Sequence, residues 1–225
     1  MKMKKCVLFF LLAFLALACT TDSYEKGDGE YSMLQGEFVE AHVNASLNID
    51  YATTDSDERL TFKQSYTKAW ANTPDSSYRA VLYFKKVNQQ PEIISLNRVN
   101  VMTVIAIDSL EKKLKKSMKT DPLTLESMWM SKNKRYLNAG FYLKSGLTDD
   151  ESAMQQIGLV SDSLQQHADG KKILWLRFYH DQGGVPEYYS ERGFLSLPVQ
   201  NLGSDSIRLA INTYSGVVVK KFSIK

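Results

Sequence analysis

The chain has 225 residues, with 28 basic and 25 acidic side chains, three histidines and two cysteines. That length can bury a core without covalent staples, and two cysteines are too few for a disulfide scaffold. So even a balance of charge gives a nucleic-acid reading no footing.

The chain opens with three lysines and no acid in Met1 to Lys5, followed by an uncharged 13-residue run from Cys6 to Ala18. A helix needs about 20 apolar residues to cross the bilayer core, so this run is too short. A basic start, a short apolar centre and small residues before a cut site predict a secretory signal peptide over 1–18. Ala16 and Ala18 stand immediately before Cys19, a junction that resembles the bacterial lipobox, with Ala in place of the commoner Leu three residues before the cysteine. The expectation is therefore a lipid anchor on Cys19. Thr20 to Tyr31 follows with Asp22, Glu25, Asp28 and Glu30 among glycines and almost nothing apolar. Such a segment buries too little surface to offset its ordering entropy, so 19–35 reads as an acylated start and flexible tether. Acids after an acylated cysteine also resemble the surface-export signals of Bacteroidetes lipoproteins. Cleavage removes three lysines and no acid, which leaves 25 basic and 25 acidic residues. It also removes Cys6, and with Cys19 acylated no free thiol, disulfide or thiolate metal site is expected.

Beyond residue 35 the alternation of apolar and polar residues, the signature of a half-buried strand, recurs along the chain. Val39, Ala41 and Val43 alternate with Glu40 and His42; Leu47, Ile49 and Tyr51 alternate with Asn48 and Asp50. Residues 79–87 (RAVLYFKKV) and 92–105 (EIISLNRVNVMTVI) read as further strands. The lysine-rich stretch 108–123 breaks the pattern; it has room for a short helix but reads mainly as a connection between domains. In 136–144, Leu137, Ala139, Phe141 and Leu143 point one way, and Tyr136, Asn138, Tyr142 and Lys144 the other. The same alternation puts Leu174, Leu176 and Phe178, then Leu195, Leu197 and Val199, then Ile207, Leu209 and Ile211 on a core face. A last strand, GVVVKKFSI, ends the chain. Turn residues at 181–184, 201–206 and 213–216 separate these runs. Short strands at this spacing, without intervening helices of the length a parallel sheet requires, predict an all-β chain built as a sandwich or barrel.

Motifs for chemistry are scarce. The sequence has no G-x-S-x-G, H-E-x-x-H, P-loop or G-x-G-x-x-G pattern. His180 and Asp181 are adjacent, with Glu187 nearby, but neighbours on a strand face opposite ways and cannot pair directly. Asp55, Asp57 and Glu58 form one acidic loop and Asp149, Asp150 and Glu151 another. Neither fits the spacing of a calcium loop, so both read as solvated acidic loops. No metal and no cofactor are expected. Ser109, Ser163 and Ser206 follow aspartates and precede apolar residues, which resembles the O-glycosylation motif of exported Bacteroidetes proteins.

Taken in order, the lipobox, the acidic tether, EFVEAHVN (37–44), IDYATTDSDERLTF (49–62), SSYRAVLYF (76–84), NAGFYLKSG (138–146) and LRFYHDQGGVPEYYSERGFLSLPV (176–199) resemble the NigD-like lipoproteins of Bacteroidetes. The resemblance covers nearly all of the mature chain and rests on the order of the motifs, none of which is catalytic. It implies an N-terminal OB-like barrel over 36–107 and, after the connection at 108–123, a C-terminal antiparallel β-sandwich over 124–225. It also implies a bacteriocin-immunity or accessory role. The expected function is a membrane-anchored, non-enzymatic envelope module, placed at the outer membrane, that binds a protein or glycan and no nucleic acid. The competing reading is a glycan-active hydrolase with a carboxylate pair.

One surface is singled out. The residues opposite the core face of 136–144 and 172–180 include Tyr136, Tyr142, Trp175, Arg177 and Tyr179, where a strand facing water more often carries Lys, Thr or Glu. Such rings mark contact surfaces. The expectation is one binding patch, if the N-terminal domain or a loop does not cover these residues and the two strands lie side by side.

Overall fold

The computed structural model describes residues 34–113 and 115–224; the expected signal peptide, Cys19 and the expected tether as far as residue 33 lie outside them, and Gln35, read above as its end, begins the first strand. Fourteen strands are present among the described residues. The first five, β1 (Gln35–Val43), β2 (Ile49–Thr54), β3 (Arg59–Tyr66), β4 (Ser76–Val87) and β5 (Gln90–Arg98), form one curled antiparallel sheet in the order β3-β2-β1-β4-β5. Then come β6 (Asn100–Val101), β7 (Val104–Ala106), β8 (Thr124–Met130), β9 (Tyr136–Ser145) and β10 (Gln156–Gln166). The chain ends with β11 (Lys172–Asp181), β12 (Tyr189–Pro198), β13 (Ser206–Thr213) and β14 (Gly216–Ser223). These nine make two facing sheets, β14-β13-β11-β10-β7 and β6-β12-β9-β8. The all-β class is as the alternation predicts, and the pairing of a half-closed, OB-like barrel with a sandwich is as the family resemblance implies.

The sandwich sheets are mixed rather than wholly antiparallel. β7 runs parallel to β10, β11 to β13 and β6 to β12. The reason is topological: between β11 and β13 the chain crosses to the opposite sheet as β12, so it returns in its former direction. Residues 100–106, read above with the N-terminal half, pair as β6 and β7 into the sandwich instead. The expected alternation holds for the apolar residues that face the sandwich core. Leu137, Ala139, Phe141, Leu174, Leu176, Phe178, Leu195, Leu197, Ile207, Leu209 and Ile211 are all buried between the two sheets. Phe141 meets Phe178 edge to face, with centroids 5.6 Å apart, a favoured ring geometry.

In the first sheet Val39, Ala41 and Val43 face a separate core with Ala80, Leu82, Phe84 and Leu96. Leu47 departs from the expected pattern. It is exposed at a φ of 60° in the turn before β2, whose inward set becomes Ile49, Ala52 and Thr54 because register shifts next to Asp50. The turn at 181–184 requires its glycine. At Gly183, with φ of 57°, an added Cβ would lie 2.1 Å from the carbonyl oxygen of Met154.

The stretch 108–123 is not a free connection. A five-residue π-helical turn, Ser109–Lys113, buries Leu110 against Val160 and Tyr179 on the outer face of the five-stranded sheet, with Ile105, Ile107 and Met118 around them. Thr120 and Leu123 then form bridges to His180 and Thr213. Replacing a buried leucine by alanine costs about 2–5 kcal/mol. Leu110→Ala should therefore lower the urea midpoint by a corresponding amount and raise trypsin cleavage within 108–119 relative to the native chain.

Candidate functional site

β4 explains why RAVLYF contains a charge inside an apolar run. Its alternate residues Ala80, Leu82 and Phe84 enter the N-terminal core, while Arg79 and Val81 face the sandwich and are buried as well. The guanidinium of Arg79 donates through Nη2 to Asp55 Oδ2 at 2.7 Å and to Asn138 Oδ1 at 3.0 Å, and through Nε to Ser196 Oγ at 3.0 Å. Nη1 also lies 2.7 Å from Asp55 Oδ1, but off the hydrogen-bond direction, so that oxygen is held by charge alone. Asn138 donates to Asp55 Oδ2 at 2.8 Å, and Ser196 donates to Asn138 Oδ1 at 2.7 Å. Four buried polar side chains from β4, β9, β12 and the turn after β2 thus close one network.

The network joins the N-terminal sheet to the outer face of the four-stranded sheet. Phe38 packs edge-on against Trp129 and Phe194 beside it, at 5.1 and 5.4 Å. At its rim Glu40 accepts from the Tyr136 hydroxyl at 2.7 Å and from Arg135 Nη1 at 3.0 Å, and Asp57 accepts from Arg135 and Asn133. Burial, then the hydrogen bond to Glu40, pushes the Tyr136 phenol up to about 12.

The acidic loop at 55–58 is solvated only in part: Asp57 and Glu58 are exposed, paired with Arg135 and Lys86, whereas Asp55 is buried in the junction under Arg79. Among the described residues no group of three His, Cys, Asp or Glu is placed to hold a metal ion. His180 is buried and donates Nδ1–H to the carbonyl of Asp121 at 2.9 Å. Asp181 caps the amide of Gly183, and Glu187 accepts from Tyr214 at 3.3 Å, so the three are not brought together.

The expected aromatic patch divides. Tyr136 and Tyr142 stand on β9 and Trp175, Arg177 and Tyr179 on β11, strands of opposite sheets whose core faces meet. Their other faces point away from each other. Tyr136 is covered by the N-terminal half and lies under Arg79 at 4.1 Å. Tyr142 approaches Glu126, which Arg192 grips through two nitrogens at 2.8 Å. Tyr179 is buried beneath Leu110. Trp175, half-buried, donates to Gln165 at 3.0 Å and carries Arg208 over its ring, and Arg177 is bound to Asp162. Of the serines in the glycosylation-like motif, Ser163 is exposed on β10, while Ser109 and Ser206 are half-buried.

A recess lies elsewhere, at the seam of the curled sheet. β3 and β5, its two edges, approach each other without forming a ladder. Between them is a cavity of about 380 Å³ lined by Phe62, Gln64, Tyr66, Asn88, Gln90 and Pro91, among others. Sequence reasoning missed it because its residues are unremarkable singly; the available signal was the cluster of amides NQQ after KKV.

Residues 106–224 match the family model described as the NigD-like C-terminal beta sandwich domain. The chain belongs to the NigD-like family. A solved structure of a NigD-like immunity protein from Bacteroides caccae is 21% identical, covers 84% of this chain and 96% of its own, and superposes with a TM-score of 0.64. A candidate toxin-related protein from Parabacteroides distasonis is 16% identical over 84% and 92%, with a TM-score of 0.61. A candidate lipoprotein from Bacteroides fragilis is 11% identical over 85% and 98%, with a TM-score of 0.58. At such identities the likeness is one of fold. No curated protein matches the sequence.

Two predictions follow from the junction of this NigD-like chain. Arg79→Met leaves a buried carboxylate without its cation, which costs about 3–5 kcal/mol; adding Asp55→Asn should return part of that, because the amide carries no charge. Urea unfolding of both variants tests it. For Tyr136 the folded value near 12 exceeds the usual value of about 10. Its contribution is whole below the unfolded value and is lost as pH rises through the folded one. Stability of the wild type should therefore fall more steeply than that of Tyr136→Phe between those two values, as read by unfolding at successive pH.

Proposed function

We propose that this NigD-like chain is a non-catalytic binding module held at the cell envelope by a lipid on Cys19, acting at the outer membrane in bacteriocin immunity or an accessory role. The observation that carries the reading is the open seam of the N-terminal sheet: a recess in the size range of ligand sites, on a half-barrel fixed to the sandwich by the Arg79 network. A rigid mount of this kind keeps a binding surface in one geometry and lowers the ordering cost of association. The family assignment and the likeness in fold to a NigD-like immunity protein support the role; the short apolar run before Cys19 supports the anchor.

Both parts are open to direct test. Cys19→Ser should shift the protein from the membrane fraction to the soluble one and abolish labelling by a palmitate analogue; a variant that still pellets and labels contradicts the anchor. Affinity capture from native envelope with the wild-type chain should retain a specific partner, and Arg79→Met should lose it in step with its loss of folding.

A further inference from the structure

Resting on the reading of this chain as a binding module, we propose that the recess between β3 and β5 is a site for a neutral oligosaccharide. The backbone builds the recess on purpose-shaped edges. On β3, the ladder with β2 pairs Thr61 with Tyr51 and then Tyr66 with Ile49, so Phe62 to Ser65 stand opposite the single residue Asp50. On β5, Ile94 is the extra residue between the pairs of Tyr83 and Phe84. Both edges therefore bulge where the recess lies, and bulges re-aim side chains next to sites. The hairpin that closes the recess is also costly. Its two loop residues, Asn88 and Gln89, have φ of 49° and 65°, conformations for which such a turn normally uses Asn-Gly. Asparagine suits the first of these positions, but glutamine at the second carries backbone strain that a glycine would avoid, and Asn88 and Gln90 on either side of it line the rim.

The lining names the ligand class. Phe62, Tyr66 and Ile93 pack their inner parts on the N-terminal core, leaving a partly exposed apolar floor. The rim amides of Gln64, Asn88 and Gln90 each offer donors and an acceptor without charge. A sugar ring presents apolar C–H faces for stacking and pairs of hydroxyls that both donate and accept, which suits a ring floor with an amide rim. The two charges in the lining, Lys63 and Glu92, are of opposite sign, and Glu92 already lies 3.7 Å from Lys85. Nothing there selects a phosphate or a polyanion. An added peptide strand is disfavoured for a different reason. Strand addition needs a regular row of edge N–H and C=O groups, and the bulge at 62–65, the bulge at Ile94 and Pro91 interrupt both rows.

The test uses the full chain, purified in detergent, titrated with neutral oligosaccharides of the cellulose, laminarin, starch and mannan types up to about 10 mM, with NMR and fluorescence as readouts. At least one type should bind saturably. Gln64→Ala and Gln90→Ala should each weaken that binding by about tenfold, the loss of one well-made polar contact, with melting temperatures unchanged. Asn88→Gly separates site from fold: glycine adopts the positive φ of that position freely, so the variant should melt close to the wild type yet bind more weakly. The absence of saturable binding by every type overturns the proposal, as does binding that all three substitutions leave intact, or displacement of the sugar only by an extended peptide. Envelope capture that survives in the Gln64→Ala/Gln90→Ala variant would sink this site while leaving the binding-module reading in place.

Discussion

The two halves of this protein depend on one buried cation. Arg79 sits in the first half of β4, and its guanidinium is satisfied by groups from other segments: Asp55 after β2, Asn138 on β9 and Ser196 on β12. A charge removed from water at this depth is tolerated only when paired and hydrogen-bonded. The N-terminal sheet therefore has one acceptable placement on the sandwich, the one that brings these partners to Arg79. A purely apolar interface would resist sliding less, since hydrophobic contact is not directional. Here the aromatic contacts of Phe38 with Trp129 and Phe194 supply buried area beside a network that fixes register.

That joining makes the four-stranded sheet an inner layer. Its strands meet the five-stranded sheet on one face and the N-terminal sheet on the other, which is why Asn138 and Ser196 are as buried as their apolar neighbours. The opposite situation holds at the free edges of the curled sheet. β3 and β5 come near enough to enclose a recess but are bulged where a barrel would close. The fold is tied by buried polar contacts at the junction and open at the seam.

Much of the architecture was legible from periodicity. The inward sets of β9, β11 and β13 could be named residue by residue, because the apolar residues of each lie on one face and alternation of two follows from strand geometry. Where alternation misled, a specific cause is visible. A register shift beside Asp50 moved the inward phase of β2, and Leu47 fell into a left-handed turn. The aromatic face of β9 did mark a covered surface, but the cover is the chain's own N-terminal half. That of β11 is covered in part by Leu110, a residue inside a stretch that its lysines made look like linker.

By itself the sequence determined the all-β class, the short apolar run before Cys19, and which residues of the sandwich face inward, since these depend on local composition and on a period of two. Only the tertiary structure decided that Tyr136 and Trp175 belong to opposite sheets, that Asp55 serves Arg79 rather than solvent, and that an amide-rimmed recess opens between β3 and β5. Each of those depends on which strands become neighbours. Pairing of segments 24 to 117 residues apart, as in the contacts of Arg79, is fixed by the energy of the whole packed arrangement and leaves no local pattern to read.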